Sequence, residues 1–221
     1  MLGNICQQLY TMVDTMVVGQ VVGVEALAAL GAVDFLMWVV TGISTGLTQG
    51  FSIQLSQYYG TKDFENLRKS LAHSYRLTAF IAAGVLILSQ SFASLVLTGL
   101  HTPSNIIGMS LLYLPIIFWG IPATAAYNMF ASALRAMGNS KTPLTAMIIA
   151  SVLNVSLDIL FVAGFGWGVA GAAIATVIAQ SFSAVYCFLI LRRIDIVHLT
   201  RADFMPASGM NARLMKLGIP V

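Results

Sequence analysis

The chain has 221 residues; 58% are hydrophobic, 9% are charged and the formal charge is +3. A soluble domain carries roughly 25% charged residues, so this composition excludes an ordinary water-soluble surface and predicts one that faces lipid. The 2 cysteines, Cys6 and Cys187, lie in apolar stretches without motif spacing, which predicts neither a disulfide scaffold nor a metal site.

A membrane-spanning helix needs about 20 mostly apolar residues, and stretches of that length recur along the whole chain. The first runs from Met1 to about Val24 with Asp14 as its only charge, and no cleavable signal peptide is expected there because it lacks a basic start. The second runs from Ala26 to Tyr59 with Asp34 as its only charge. The third covers about Leu77 to Leu100, the fourth Ser104 to Leu134, the fifth Thr142 to Phe165 and the sixth Gly168 to Leu191. Pro115 and Pro122 interrupt the fourth, where a missing backbone donor permits bending. The joint Gly164–Gly168 is so short that helices five and six must form an antiparallel hairpin. The expected fold is an all-α integral membrane protein, with a six-helix bundle over residues 1–193.

The basic residues orient it. All 11 Lys and Arg fall after helix two (Lys62, Arg68, Lys69, Arg76), after helix four (Arg135, Lys141) or after helix six (Arg192, Arg193, Arg201, Arg213, Lys216). With six crossings these lie on one side, which the positive-inside rule makes cytoplasmic. The expected location is the cell (inner or plasma) membrane, with the N-terminus and residues 194–221 cytoplasmic. The polar run from Arg192 to Lys216 has the character of a short amphipathic helix. Leu217-Gly-Ile-Pro-Val221 reads as the start of a seventh helix, so a longer chain with a second lobe is expected. Gly60-Thr-Lys62 and Gly138-Asn-Ser-Lys141 hint at two related three-helix units.

Asp14 and Asp158 carry the most information. An Asp at the centre of a membrane helix costs roughly 2.5–3.5 kcal/mol, and no predicted span holds a Lys or Arg. What remains is a protonated carboxyl, a bound cation, or hydrogen bonds to neutral groups. At about 1.5 Å per residue, Asp14, Tyr113, Asn154, Asp158 and Thr176 fall roughly 12–18 Å below the outer face, on four helices. Asn154 and Asp158, four apart, share a helix face. Such a cluster takes up a proton or holds Na+ among amide and hydroxyl oxygens, which makes it a candidate coupling-ion site. Asp34 is expected at the outer interface. Gln7, Gln8, Gln49, Gln54 and Gln180 either line an aqueous cavity or join helices, and Met37 either adds an adaptable substrate surface or packs. Gln49, Gln54, Met37 and Gln180 are the candidate chamber residues. No Walker loop, dinucleotide fingerprint, metal-ligand cluster or nucleophile triad is present in the sequence. No enzyme activity, organic cofactor or metal beyond Na+ is therefore expected, and topology accounts for the basic residues without nucleic acid. An ion gradient, of H+ or Na+, or a partner is the expected energy source.

The sequence resembles the MATE family, the multidrug and toxic compound extrusion transporters. The likeness rests on Gln8-Leu-Tyr-Thr-Met-Val-Asp14-Thr with Val18-Gly19, Glu25-Ala-Leu-Ala-Ala-Leu-Gly31, Tyr113-Leu-Pro, Gly120-Ile-Pro122, Arg135-Ala-Met-Gly-Asn-Ser-Lys-Thr-Pro143, Asn154-Val-Ser-Leu-Asp158 and Gly168-Val-Ala-Gly-Ala-Ala-Ile-Ala-Thr176. The resemblance implies one lobe of a twelve-helix, two-lobe antiporter that exchanges H+ or Na+ for small organic, often cationic, compounds. It implies an ion site at Asp14, Asn154 and Asp158, with Tyr113 and Thr176 nearby, and partners in membrane lipid and a C-terminal lobe. Two other readings stay open: a related flippase for lipid-linked sugars, disfavoured by spans without Lys or Arg, and a non-transporting membrane scaffold.

Overall fold

The computed structural model describes residues 12–13, 15–99, 103–204 and 214. Asp14, Gln7, Gln8, the start of helix one and most of residues 205–221 lie outside them. The described residues form helices and no strand. After α1 (residues 15–21) come α2 (Val24–Gly60), α3 (Phe64–Gly99), α4 (Ser104–Trp119), α5 (Ile121–Ala136), α6 (Lys141–Asp158) and α7 (Gly168–Arg192). Among the described residues Phe64–Ala93, Lys141–Gly164 and Gly168–Arg192 are long and apolar enough to cross a membrane, and the bent pair Ile106–Trp119 and Ile121–Ala136 passes the same test when taken together as one span. Trp38, Phe80, Leu95, Trp119 and Val152 are 64–76% exposed, an outward apolar surface that suits lipid and not water.

Three boundaries differ from the sequence reading. Helix three begins at Phe64 and not near Leu77, because Asp63 caps it: Asn66 donates its backbone N–H to Asp63 Oδ1 at 3.2 Å and its side-chain amide to Oδ2 at 2.7 Å. A charge-rich stretch that reads as a joint is thus a helical extension. The Asn66 side-chain bond, then its backbone bond, hold the Asp63 carboxyl below the usual aspartate value. Helix four is two helices bent by 41° at Gly120, between the two prolines. Pro115 stays inside α4 and its carbonyl accepts from Gln90 Nε2 at 2.9 Å. Helix five leaves α geometry at Ile159 and finishes as a π turn, Ile159–Gly164.

The packing has two apolar centres. The first joins Val18, Leu30, Val33, Leu97, Tyr113, Leu114, Val162, Val169 and Ala172. The second joins Phe51, Leu55, Leu67, Leu71, Met129, Leu134, Cys187 and Leu191, and lies at the end that carries the basic joints. α7 packs against α4, α5, α6 and the π turn, while α2 packs against α3, α4 and α5. At the far end Gly23, with φ 113°, turns the chain from α1 into α2, a conformation that only glycine enters at little cost.

Beyond α7 the expected linker folds back as two short turns, Asp195–Val197 and Arg201–Phe204. Val197 and Leu214 insert into the second apolar centre. Buried Asp203 accepts from the Thr200 N–H at 2.7 Å and hydroxyl at 2.8 Å and stands 3.9 Å from Arg68 Nε, while Arg76 donates to the Phe204 carbonyl at 3.0 Å. Burial raises the Asp203 pKa, but the two Thr200 bonds and the charges of Arg68 and Lys69 outweigh it, and the net value falls below the ordinary 3.8. A carboxylate with a lowered folded pKa stabilises the clasp above the unfolded value, and that contribution is lost as pH falls through the folded one. The Asp203 carboxyl is expected to titrate below pH 3.8 by NMR. D203N is expected to speed tryptic cleavage after Arg201 several-fold at neutral pH; an unchanged rate counts against the clasp.

Ser70, Ser74 and Thr78 form an i, i+4, i+8 row on α3, and their buried hydroxyls, like Gln54 Oε1, have no hydrogen-bond partner among the described residues. Removing a desolvated hydroxyl that bonds nothing is close to neutral or stabilising. S74A is therefore expected to leave the melting temperature unchanged or raise it; a loss above about 1 kcal/mol would reveal a partner for that hydroxyl.

Candidate functional site

The buried face of α6 is the row Pro143, Ala146, Ala150, Asn154 and Asp158. Its spacing of three and four residues is that of one helix face, so the same periodicity that packs small residues inward carries an amide and a carboxyl to the bundle interior. Asp158 is 0% and Asn154 is 1% exposed. Asp158 is the last α residue before the π turn, where Phe165 N–H reaches back to Leu160 O at 2.9 Å and Trp167 N–H to Phe161 O at 2.9 Å. Such turns often lie at functional sites.

Asn154 links α6 to α7 in either amide setting. In one, Nδ2 donates to Thr176 Oγ1 at 3.4 Å. In the other, Nδ2 donates to Asp158 Oδ2 at 3.3 Å and Oδ1 accepts from the Thr176 N–H at 3.3 Å. The second setting satisfies both ends of the amide, whereas the first turns its nitrogen toward a donor and its oxygen toward an acceptor. The structure thus brings together Asn154, Asp158 and Thr176. Tyr113 is buried in the first apolar centre with Val162, which follows Asp158 by four residues, and with Val169 and Ala172 of α7. Val18 of α1, four residues beyond position 14 in sequence, belongs to the same centre; Asp14 itself lies outside the described residues.

A cavity of about 730 Å³ opens beside this site, lined by residues of α2, α5, α6 and α7 and by Ser140. Its volume falls within the range of small-molecule sites, about 300–1,000 Å³. Asn154 and Thr176 line it, as do Gln49 and Gln180. Gln54 does not; it is buried and donates to Tyr58 Oη at 3.3 Å. Nor does Met37, which packs against the first apolar centre. Asp158 lies one turn of α6 beyond the cavity wall, with Asn154 between. Sequence reasoning missed the residues that cross-link the cavity: Thr124 donates to Gln180 Oε1, and Asn128 donates to Thr45 Oγ1 at 3.4 Å. Thr124 and Asn128 are an i, i+4 polar pair on helix four, a signal that the two prolines upstream of it overshadow.

The comparisons with known proteins extend this picture. The MatE family profile matches residues 1–160. The chain is 31% identical over 220 residues to "Probable multidrug resistance protein YpnP" of Bacillus subtilis and 31% identical over 228 residues to "Probable multidrug resistance protein YoeA" of the same species, covering 100% of this chain and 49% of each relative. A solved structure described as "MATE in the bent conformation" superposes with a TM-score of 0.92 at 24% identity, over 99% of this chain and 49% of that one. The chain therefore spans about half the length of the curated relatives it matches, and its helical membrane fold is that of half of such a molecule. On the family profile, which covers most of its length, this chain belongs to the MatE family.

Proposed function

We propose that the chain forms the N-terminal lobe of a secondary active efflux transporter, in which H+ or Na+ bound at Asp158 drives export of a small organic compound. The carrying observation is a fully buried carboxyl that an amide links to the neighbouring helix beside a small-molecule cavity. A charge so placed is costly unless neutralised, and a proton or a cation held by the oxygens of Asp158, Asn154 and Thr176 neutralises it. Asp14 and Tyr113 are proposed members of the same site. A second lobe completes the chamber, and the basic end faces the cytoplasm.

The test is transport in proteoliposomes carrying the product of the complete reading frame. Imposed proton and sodium gradients, each collapsed in turn by an ionophore, are expected to reveal efflux that depends on one of them. Efflux indifferent to both gradients would overturn the coupling.

A further inference from the structure

We infer that Phe161 and Trp167 form a latch on the π turn that keeps the Asp158 carboxyl facing α7, so that both are positioning residues for the coupling ion. This rests on the transport reading above and adds the groups that fix the geometry of its ion site. The two rings stack with centroids 5.1 Å apart and planes at 27°, and the Trp167 N–H donates to the Phe161 carbonyl at 2.9 Å. Phe165 packs on both, at 6.0 Å from Phe161 and 5.4 Å from Trp167. Gly166 at φ 68° and Gly168 at φ 55° reverse the chain on either side of Trp167, a left-handed conformation that glycine enters at little cost, and this folds the indole back over the turn.

The turn decides which residues share the Asp158 face. Continued as an α-helix, positions 158, 162 and 165 would lie in one row. Asp158 and Val162 are buried, but Phe165 is 56% exposed. The π turn, which closes over five residues where an α turn closes over four, carries its ring off that row and into the stack with Phe161 and Trp167. Rewinding the turn to α geometry would shift the register by one residue, or about 100° of rotation. Either Phe165 would then swing toward the site, or the Asn154–Asp158 face would rotate away from Thr176.

The π form is rare, so it needs contacts that α geometry would lose, and here it is gripped on three sides. Val162 is anchored in the first apolar centre with Tyr113. Gly171 of α7 lets the Phe161 backbone approach so closely that an added Cβ would stand 3.1 Å from its carbonyl carbon. The third grip is the ring stack, at separations that aromatic pairs favour. Phe165 and Trp167 are half-exposed, so this grip lies at the rim, where the chain turns from α6 into α7. Asp158 is the residue directly before the turn, and what holds the turn therefore holds the end of α6 that carries the carboxyl.

The experiment measures ethidium efflux from proteoliposomes of the complete reading-frame product against the concentration of H+ or Na+. W167A and F161A are each expected to raise the ion concentration at half-maximal efflux at least threefold, with the maximal rate changed less. W167F keeps a ring over Phe161 and is expected to stay close to wild type. The double variant F161A/W167A is expected to match the single ones, because the two residues act as a pair. F130A breaks a ring pair with Tyr75 at 5.4 Å, between α5 and α3, and controls for lost packing: it is expected to lower the melting temperature and leave the half-maximal ion concentration unchanged. Ion-driven efflux in wild type, with the same ion dependence in W167A and F161A, would overturn the latch and leave the transport reading standing. If wild-type efflux follows neither gradient, labelling of Asp158 by dicyclohexylcarbodiimide, read by mass spectrometry, decides. A labelling rate changed by W167A and restored by W167F supports the latch while the ion coupling falls; a rate equal to wild type overturns the latch as well.

Discussion

D158N is expected to abolish ion-driven efflux while the protein still inserts and melts normally. Asparagine keeps the size of the side chain and can still bond Asn154, so the packing of α6 on α7 survives. What it loses is the capacity to bind a proton or to balance a cation. Coupling free energies of about 1–3 kcal/mol correspond to roughly 5–150-fold, and a drop of at least that order in gradient-dependent efflux is the expected reading. Stability should hold or improve, because a buried carboxyl is exchanged for a neutral amide. If D158N transports at the wild-type rate under both gradients, Asp158 does not couple. D158E separates charge from geometry: it is expected to retain part of the activity.

The second large effect is expected at Gly171. A Cβ placed there would meet Phe161 Cβ at 3.0 Å, its carbonyl carbon at 3.1 Å and its oxygen at 3.2 Å. Two of these three atoms are backbone and cannot rotate away. Phe161 belongs to the π turn that follows Asp158, so an added methyl pushes α7 off the segment that shapes the site. Overpacking of this kind costs about 1–3 kcal/mol. G171A is expected at the lower end of that range and G171V beyond it, with a lower melting temperature in detergent and reduced membrane yield. At Gly84 and Gly108, both inside helices, an added methyl would meet nothing within 4 Å, so alanine at either should leave the melting temperature unchanged or raise it. A G171V protein as stable as wild type would show that the two segments do not touch as described.

The sequence reading reached the membrane fold because hydrophobic length and the grouping of basic residues are long-range signals that single substitutions do not blur. It also placed Asn154, Asp158 and Thr176 near one another, because helical rise converts residue counts into depth and a short hairpin fixes the facing of α6 and α7. The π turn at Ile159 was not legible: nothing in Ile159-Leu-Phe-Val-Ala-Gly164 distinguishes it from an ordinary helix end. The early start of α3 was readable in principle from Asp63 and Asn66, a capping pair that the surrounding charges disguised. Gln49 and Gln54 show the limit of composition. Both are glutamines on α2, yet five residues, or about 500° of helical rotation at roughly 100° each, send one to the cavity and the other into the protein interior.

The clasp at Asp203 has a mechanical meaning. The polypeptide leaves the bundle along α7, but its next firm attachment is to α3, through Arg68 and Arg76. A pull on the chain at Phe204 is thus delivered first to a helix that contributes none of the described cavity lining, and reaches the walls through its neighbours α2, α4 and α5. Motion downstream would tilt the lobe as a body before it strained the Asn154–Thr176 link.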